Sequence, residues 1–216
     1  MKIEALKFIE KLGLDEILKK RREVVPVVQF KTKEEEINEN IRFDYYVVSP
    51  DADNFSGNRW NSAIFLFHGL NERSWDKYKP WAETLANKLE RPVVLFPLSM
   101  HINRSPDLWS DSRAMQKLID EDYKDKDKAE NLTFVNYALS KRLQADPYRF
   151  YLSGRETIYN VHQLMNEIRR GKHPLLAKSC KVDIFAYSIG ALMSQVLLSS
   201  DVEGLFDHSK LFMFCG

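Results

Sequence analysis

The chain has 216 residues, of which 44% are hydrophobic and 12% aromatic, so it can bury a core of ordinary size and is not intrinsically disordered. Its 32 Lys and Arg balance 31 Asp and Glu, and this balance gives no reason to expect nucleic acid as a partner. The sequence has two cysteines and no run of about 20 apolar residues that could span a bilayer. We therefore expect a single cytoplasmic domain without a membrane span.

The first 58 residues are predicted to form an N-terminal helix followed by strands. Apolar residues recur at helical spacing over residues 2–22, which predicts an amphipathic helix packed on the domain. The alternative is a helix that binds a membrane surface or a partner. Residues 24–30 and 41–49 are rich in β-forming residues and predict a hairpin with a charged connection.

Short apolar runs alternate with amphipathic helical segments over the rest of the chain. The predicted strands are residues 62–67, 92–97, 182–187 and 210–215, and the predicted helices are residues 77–89 and 189–198. This alternation is typical of an α/β fold with a mostly parallel central sheet flanked by helices.

Residues 98–181 interrupt that alternation and are predicted to form a helical, cap-like insertion. Residues 131–143 and 154–170 carry helical patterns within it. Ser153 and Glu156 have the spacing of a capping box, which predicts that the second helix begins at residue 154.

Ser188 is the most informative residue of the sequence. An apolar strand runs directly into it, an apolar helix follows it, and the small residues Ala186 and Gly190 stand two positions before and after. A serine on a tight strand-to-helix turn needs small residues there, because larger side chains would collide. This spacing resembles the nucleophile elbow, with Ala186 in place of the first glycine. The alternative is an ordinary buried serine at a strand–helix junction.

A second motif, His68-Gly69-Leu70, follows the predicted strand at residues 62–67. Acyl transfer needs two donors for the oxyanion, one from the residue after the nucleophile and one from the loop after an earlier strand. We therefore predict the backbone N–H groups of Leu70 and Ile189 as these donors. His68 is predicted to be structural and not the catalytic base.

These two motifs together resemble the α/β-hydrolase superfamily over about residues 60–216, with HGLN after one strand and AYSIGA at the end of another. The resemblance implies a serine hydrolase that cleaves an ester, thioester or amide bond through an acyl-enzyme on Ser188. A non-catalytic binding or interaction protein of the same fold, and an acyltransferase using the same serine, remain alternatives.

The superfamily's chain order is nucleophile, then acid, then histidine. The candidates after Ser188 are Asp201, Glu203, Asp207 and His208. All four precede the last predicted strand, and the adjacent Asp207 and His208 cannot easily line up in series toward Ser188. We therefore expect the acid and base to lie beyond Gly216, and the last strand to present an open sheet edge through which the protein could oligomerise. If the chain were complete, the enzyme hypothesis would fail.

The remaining candidates concern the substrate. Asn71, Tyr187, His101 and Trp109 are predicted to form a substrate wall, with Arg104 close to the last two; the alternative is a plain surface loop. No Cys/His cluster has zinc spacing and no glycine-rich phosphate loop occurs, so no metal or cofactor is predicted. The predicted partner is a small acyl substrate.

Overall fold

Six strands form one sheet, and helices cover both of its faces. The computed structural model describes residues 2–11, 38–51, 59–107, 111–123, 132–145, 149–201 and 203–216. The strands are β1 (Lys2–Ile9), β2 (Arg42–Ser49), β3 (Trp60–Phe67), β4 (Val93–Leu95), β5 (Leu176–Tyr187) and β6 (Leu211–Phe214). The helices are α1 (Asn38–Ile41), α2 (Lys79–Leu89), α3 (Ser112–Asp122), α4 (Phe134–Ala145), α5 (Arg149–Arg169) and α6 (Ile189–Ser199), with a short 3₁₀ helix at Ile102–Arg104.

The sheet is mixed, with the strand order β1-β2-β4-β3-β5-β6. Strands β4, β3, β5 and β6 run parallel to one another, whereas β1 pairs antiparallel with β2 and β2 pairs antiparallel with β4. The α/β class is confirmed, and the expected mostly parallel sheet is corrected to a mixed one. The predicted strand at residues 210–215 is confirmed as β6, which pairs parallel with β5 at one end of the strand order.

The N-terminal helix prediction is wrong for residues 2–9, which form β1. Leu6 is half-buried and Phe8 is buried, so alternate residues face the core, whereas Ile3 and Ile9 are exposed. The Phe8 ring stacks on Phe43 of β2 at 4.9 Å between centroids. Three or four apolar residues in a stretch of eight are compatible with either a strand or a helix. Here the contact of Phe8 with the Phe43 ring favours the strand. Residues 12–22 of the predicted helix, and the predicted strand at residues 24–30, lie outside the described residues.

Alternation along the central strands divides the core between the two sheet faces. Phe65 and Phe67 of β3 point to the face that α5 and α6 cover. Ile64 and Leu66 point to the opposite face, which α2 covers. The central strands are buried because helices cover both faces of the sheet and leave neither face exposed to solvent.

The long helix α5 begins at Arg149, five residues before its predicted start. The predicted capping box does not form, since Ser153 lies inside the helix and its hydroxyl donates to the Ser99 carbonyl. Glu156 is buried and accepts hydrogen bonds from Asn40 and Ser99. Both side chains therefore tie α5 to the loop after β4.

The membrane prediction concerns the helices. Among those described, none combines the length and the apolar character that a bilayer crossing requires.

Candidate active site

Ser188 forms a one-residue turn between β5 and α6. Its backbone angles are φ 53° and ψ −119°, a region that side-chain-bearing residues rarely adopt. Two hydrogen bonds hold it there: its N–H donates to the Phe214 carbonyl at 3.1 Å, and its carbonyl accepts from the Ala191 N–H at 2.8 Å. The serine therefore stands at the carboxyl edge of the parallel strands, at the first turn of α6.

The small residues around Ser188 have a steric cause. A Cβ atom on Gly190 would lie 2.8 Å from the carbonyl oxygens of both Phe67 and His68. Ala186 is fully buried at the end of β5. The end of β3 therefore packs directly against the start of α6, and this contact requires glycine at position 190.

His68 links the loops after β3 and β4 and is completely buried. Its Nε2 accepts a hydrogen bond from the Leu98 N–H at 2.9 Å, so the proton is on Nδ1, which donates to the Gly69 carbonyl at 2.8 Å. Burial, followed by the neighbouring His101, lowers the pKa of the imidazole well below its ordinary value. The His68 ring is therefore neutral, and it connects the loop after β3 to the loop after β4.

Gly69 is fixed from two sides. Its N–H donates to the Tyr78 hydroxyl at 2.8 Å, and that hydroxyl donates to Glu72 at 2.7 Å. A Cβ on Gly69 would lie 2.9 Å from the Tyr187 ring. Tyr187 therefore packs beneath the Gly69 loop, and the loop is held against the strand that leads into Ser188.

Leu70 and Ile189 line one cavity of about 450 Å³ at this edge of the sheet. Within the described part of the chain, no group accepts a hydrogen bond from the backbone N–H of either residue. The two residues whose backbone N–H groups are predicted to bind the oxyanion therefore line the same cavity.

The cavity lies between α5 and α6 and is bordered by the loops after β3 and β4. Apart from Leu70 and Ile189, it is lined by Leu98, His101, Phe150, Tyr151, Ser153, Gly154, Arg155, Thr157, Ile158, Leu192, Met193, Val196 and Ser200. Sequence reasoning missed the contribution of both helices. The one available signal was α6 itself, whose apolar residues surround the helix instead of forming a single stripe.

Of the predicted wall residues, His101 lines the cavity, and Asn71 and Tyr187 are not among its lining residues. Trp109 lies outside the described residues. Arg104 is fully buried and cannot face a substrate, which corrects its predicted association with the wall.

Arg104 instead anchors the loop after β4. Its guanidinium donates to the carbonyls of Pro97 and Asn40 and to the Asn160 side chain, and it stacks 4.0 Å above the Phe43 ring. Burial lowers its pKa to about 10, so it remains charged at neutral pH. A buried cation with several acceptors fixes the geometry of the segment that carries His101.

Backbone strain is concentrated at the same edge. Among the described non-glycine residues, positive φ angles occur at Asn71 after β3, at Met100 and Ile102 after β4, at Ser188 after β5 and at Cys215 after β6, and otherwise at Glu90 at the end of α2. Such strain persists only where the surroundings enforce it, and it clusters at functional sites.

The acidic residues and the histidine after α6 lie away from this edge. They precede β6, whereas Ser188 follows β5, and parallel strands put these positions at opposite edges of the sheet. Asp201 accepts hydrogen bonds from the N–H groups of Leu205 and Phe206, and Glu203 accepts one from Asn166. These contacts make Asp201 and Glu203 part of the connection between α6 and β6.

Acid is expected to destabilise the fold through His68 and His173. Burial lowers the pKa of His173 to about 4, and His68 is lowered in the same direction. Below the ordinary pKa of about 6.5, unfolded histidines take up protons that the folded ones do not, so the free energy of unfolding falls. The loss reaches at most about 1.4 kcal/mol per pH unit for each residue. For His173 it extends from about pH 6.5 to about pH 4.

Urea unfolding at pH 7, 6 and 5 measures this loss. A His173→Asn variant should show a shallower pH dependence, because one buried histidine no longer contributes. A free energy of unfolding equal at pH 7 and pH 5 in the wild type would contradict the burial of both neutral rings.

The fold and this edge define an α/β protein with a mixed sheet and a strained serine turn at the carboxyl ends of its parallel strands. The chain belongs to the family of unknown function DUF6051, whose sequence profile matches residues 10–216. Neither the curated proteins nor the solved structures contain a significant match.

Proposed function

We propose that this protein is a serine hydrolase of the α/β-hydrolase type that cleaves an ester, thioester or amide bond. The Ser188 hydroxyl releases its proton as its oxygen forms a bond to the acyl carbon, and the bond to the leaving group breaks as that group takes up the released proton. Water then cleaves the acyl-enzyme and restores the serine. The N–H groups of Leu70 and Ile189 donate to the oxyanion in both steps.

The observation that carries the proposal is the backbone conformation of Ser188, with φ 53° and ψ −119° at a strand-to-helix turn. A strained serine in this position is the arrangement that exposes a nucleophilic hydroxyl above a sheet. The partial positive charge at the start of α6 favours an anion there. The close approach of Gly190 to the carbonyls of Phe67 and His68 also supports the proposal. This packing holds the segments that carry Leu70 and Ile189 next to each other.

His68 is not the proton acceptor in this proposal, because both ring nitrogens are hydrogen bonded to backbone groups. His101 lines the cavity beside Leu70 and Ile189. The superfamily order puts the catalytic acid and histidine after the nucleophile in the chain, so we assign His101 to the wall of the site.

A fluorophosphonate probe tests the proposal directly. We expect the folded full-length protein to form one stoichiometric adduct, which peptide mass spectrometry locates at Ser188. Protein unfolded in urea should not react, since the reactivity depends on the turn and not on the serine alone. Failure of the folded protein to react would favour a non-catalytic binding protein of the same fold.

A further inference from the structure

The cavity beside Ile189 is elongated along α6. Its wall includes Ile189 at the start of the helix, Leu192 and Val196 along it, and Ser200 just after its end. Ser200 lies eleven positions after Ile189, which corresponds to about 16 Å along an α-helix. Leu70 and His101 belong to the same wall as Ile189, so the cavity borders the two proposed oxyanion donors, whereas Ser188 is not among its lining residues.

The wall of this cavity presents hydrocarbon. Apolar side chains come from the sheet edge and both helices: Leu98, Ile158, Leu192, Met193 and Val196. Three hydroxyls on the wall already donate to backbone carbonyls, Ser153 to Ser99, Thr157 to Ser153 and Ser200 to Leu197. They offer a ligand no donor without losing a bond, so a polar ligand would have to use the other polar side chains on this wall, those of His101, Tyr151 and Arg155.

Two residues of α6 are unusually exposed along this wall. Leu192 is 52% and Val196 is 47% exposed, although both are apolar and one helical turn apart. A hydrocarbon chain lying in the cavity would cover them, and this burial would stabilise the complex.

We infer that the cavity binds the acyl chain of the substrate, and that the preferred substrates carry an extended apolar acyl group. The acyl chain of the substrate lies along α6, and its carbonyl carbon is at the end of the cavity next to Ile189. This assignment rests on the proposed function, because Ser188 defines the reacting end. Each methylene group buried from water strengthens binding about fourfold, so chain length should govern the rate.

The test compares 4-nitrophenyl acetate with 4-nitrophenyl octanoate as substrates of the full-length protein. We expect kcat/KM for the octanoyl ester to exceed that for the acetyl ester by about 100-fold or more, since six further methylene groups can be buried. In a Val196→Trp variant, the indole fills the cavity one turn beyond Leu192, and the ratio should fall to about tenfold or less.

Leu89→Trp is the matched control. Leu89 is an apolar residue of α2, 50% exposed and not among the lining residues of the cavity, so its replacement should leave the octanoyl-to-acetyl ratio unchanged. A ratio near one in the wild type, or one that Val196→Trp does not change, would overturn the inference and leave the hydrolase proposal standing.

Calorimetric titration with sodium octanoate separates the two proposals. Octanoate should bind to the wild type and to Leu89→Trp, and Val196→Trp should weaken the binding at least tenfold. If octanoate binds in this way and no ester is cleaved, the cavity is an alkyl-chain site and the hydrolase proposal is wrong. If esters are cleaved and octanoate binds equally to all three proteins, the inference is wrong.

Discussion

Replacing Ser188 with alanine is expected to abolish ester hydrolysis in the full-length protein and to leave the fold intact. Covalent catalysis has no substitute for the missing oxygen, so kcat should fall by about 10⁴-fold or more. Alanine has the same Cβ atom, and the strained turn is held by backbone hydrogen bonds to Phe214 and Ala191, which the substitution retains. The free energy of unfolding should therefore stay within about 1 kcal/mol of the wild type.

Hydrolysis of a 4-nitrophenyl ester and urea unfolding provide the two measurements. Ser194→Ala is the matched control, because Ser194 lies on the same helix and its buried hydroxyl donates to the Gly190 carbonyl. This variant should keep its activity at a small cost in stability. A Ser188→Ala protein that still hydrolyses the ester would eliminate the mechanism.

Replacing Gly190 with alanine is expected to reduce both stability and activity. The added methyl group would lie 2.8 Å from the carbonyl oxygens of Phe67 and His68, and backbone atoms cannot rotate away as a side chain can. Overpacking of this kind costs about 1–3 kcal/mol. Relief requires β3 and α6 to separate, which would displace Leu70 from Ile189 and slow the reaction by about 100-fold.

Gly154→Ala is the contrasting variant for the stability measurement. Gly154 lies within α5, and a Cβ at this position meets no atom within 4 Å. Alanine should therefore stabilise the protein by about 0.5–1 kcal/mol, as expected for a helix interior. If Gly190→Ala proved as stable as Gly154→Ala, the close packing of β3 against α6 would be disproved.

The parts of the fold that the sequence predicted correctly are those encoded by contiguous residues. The strand at residues 62–67, the strand and helix on either side of Ser188, and the last strand beside residues 182–187 are all present. Each combines a short apolar run with a distinct neighbour, so the local pattern suffices. The strained turn at Ser188 is also encoded by contiguous residues. It needs small residues two positions before and after the serine, and Ala186 and Gly190 stand there.

The errors of sequence reasoning occurred where distant partners decide. Residues 2–9 form a strand because Phe8 packs on Phe43, thirty-five positions away in the chain. Ser153 and Glu156 have capping-box spacing, yet both hydrogen bond to the loop after β4. Arg104 was grouped with the substrate wall, although Asn40 and Asn160 hold it in the interior.

The sequence by itself therefore determined the α/β class and the serine turn, and it predicts Leu70 and Ile189 as the amide donors. Tertiary structure alone decided that Leu70 and Ile189 share one cavity, that His68 is a neutral tie between two loops, and that α5 and α6 provide a hydrocarbon wall. The reason is that a turn is specified by the few residues within it. A cavity is specified by segments that meet only after the sheet has formed.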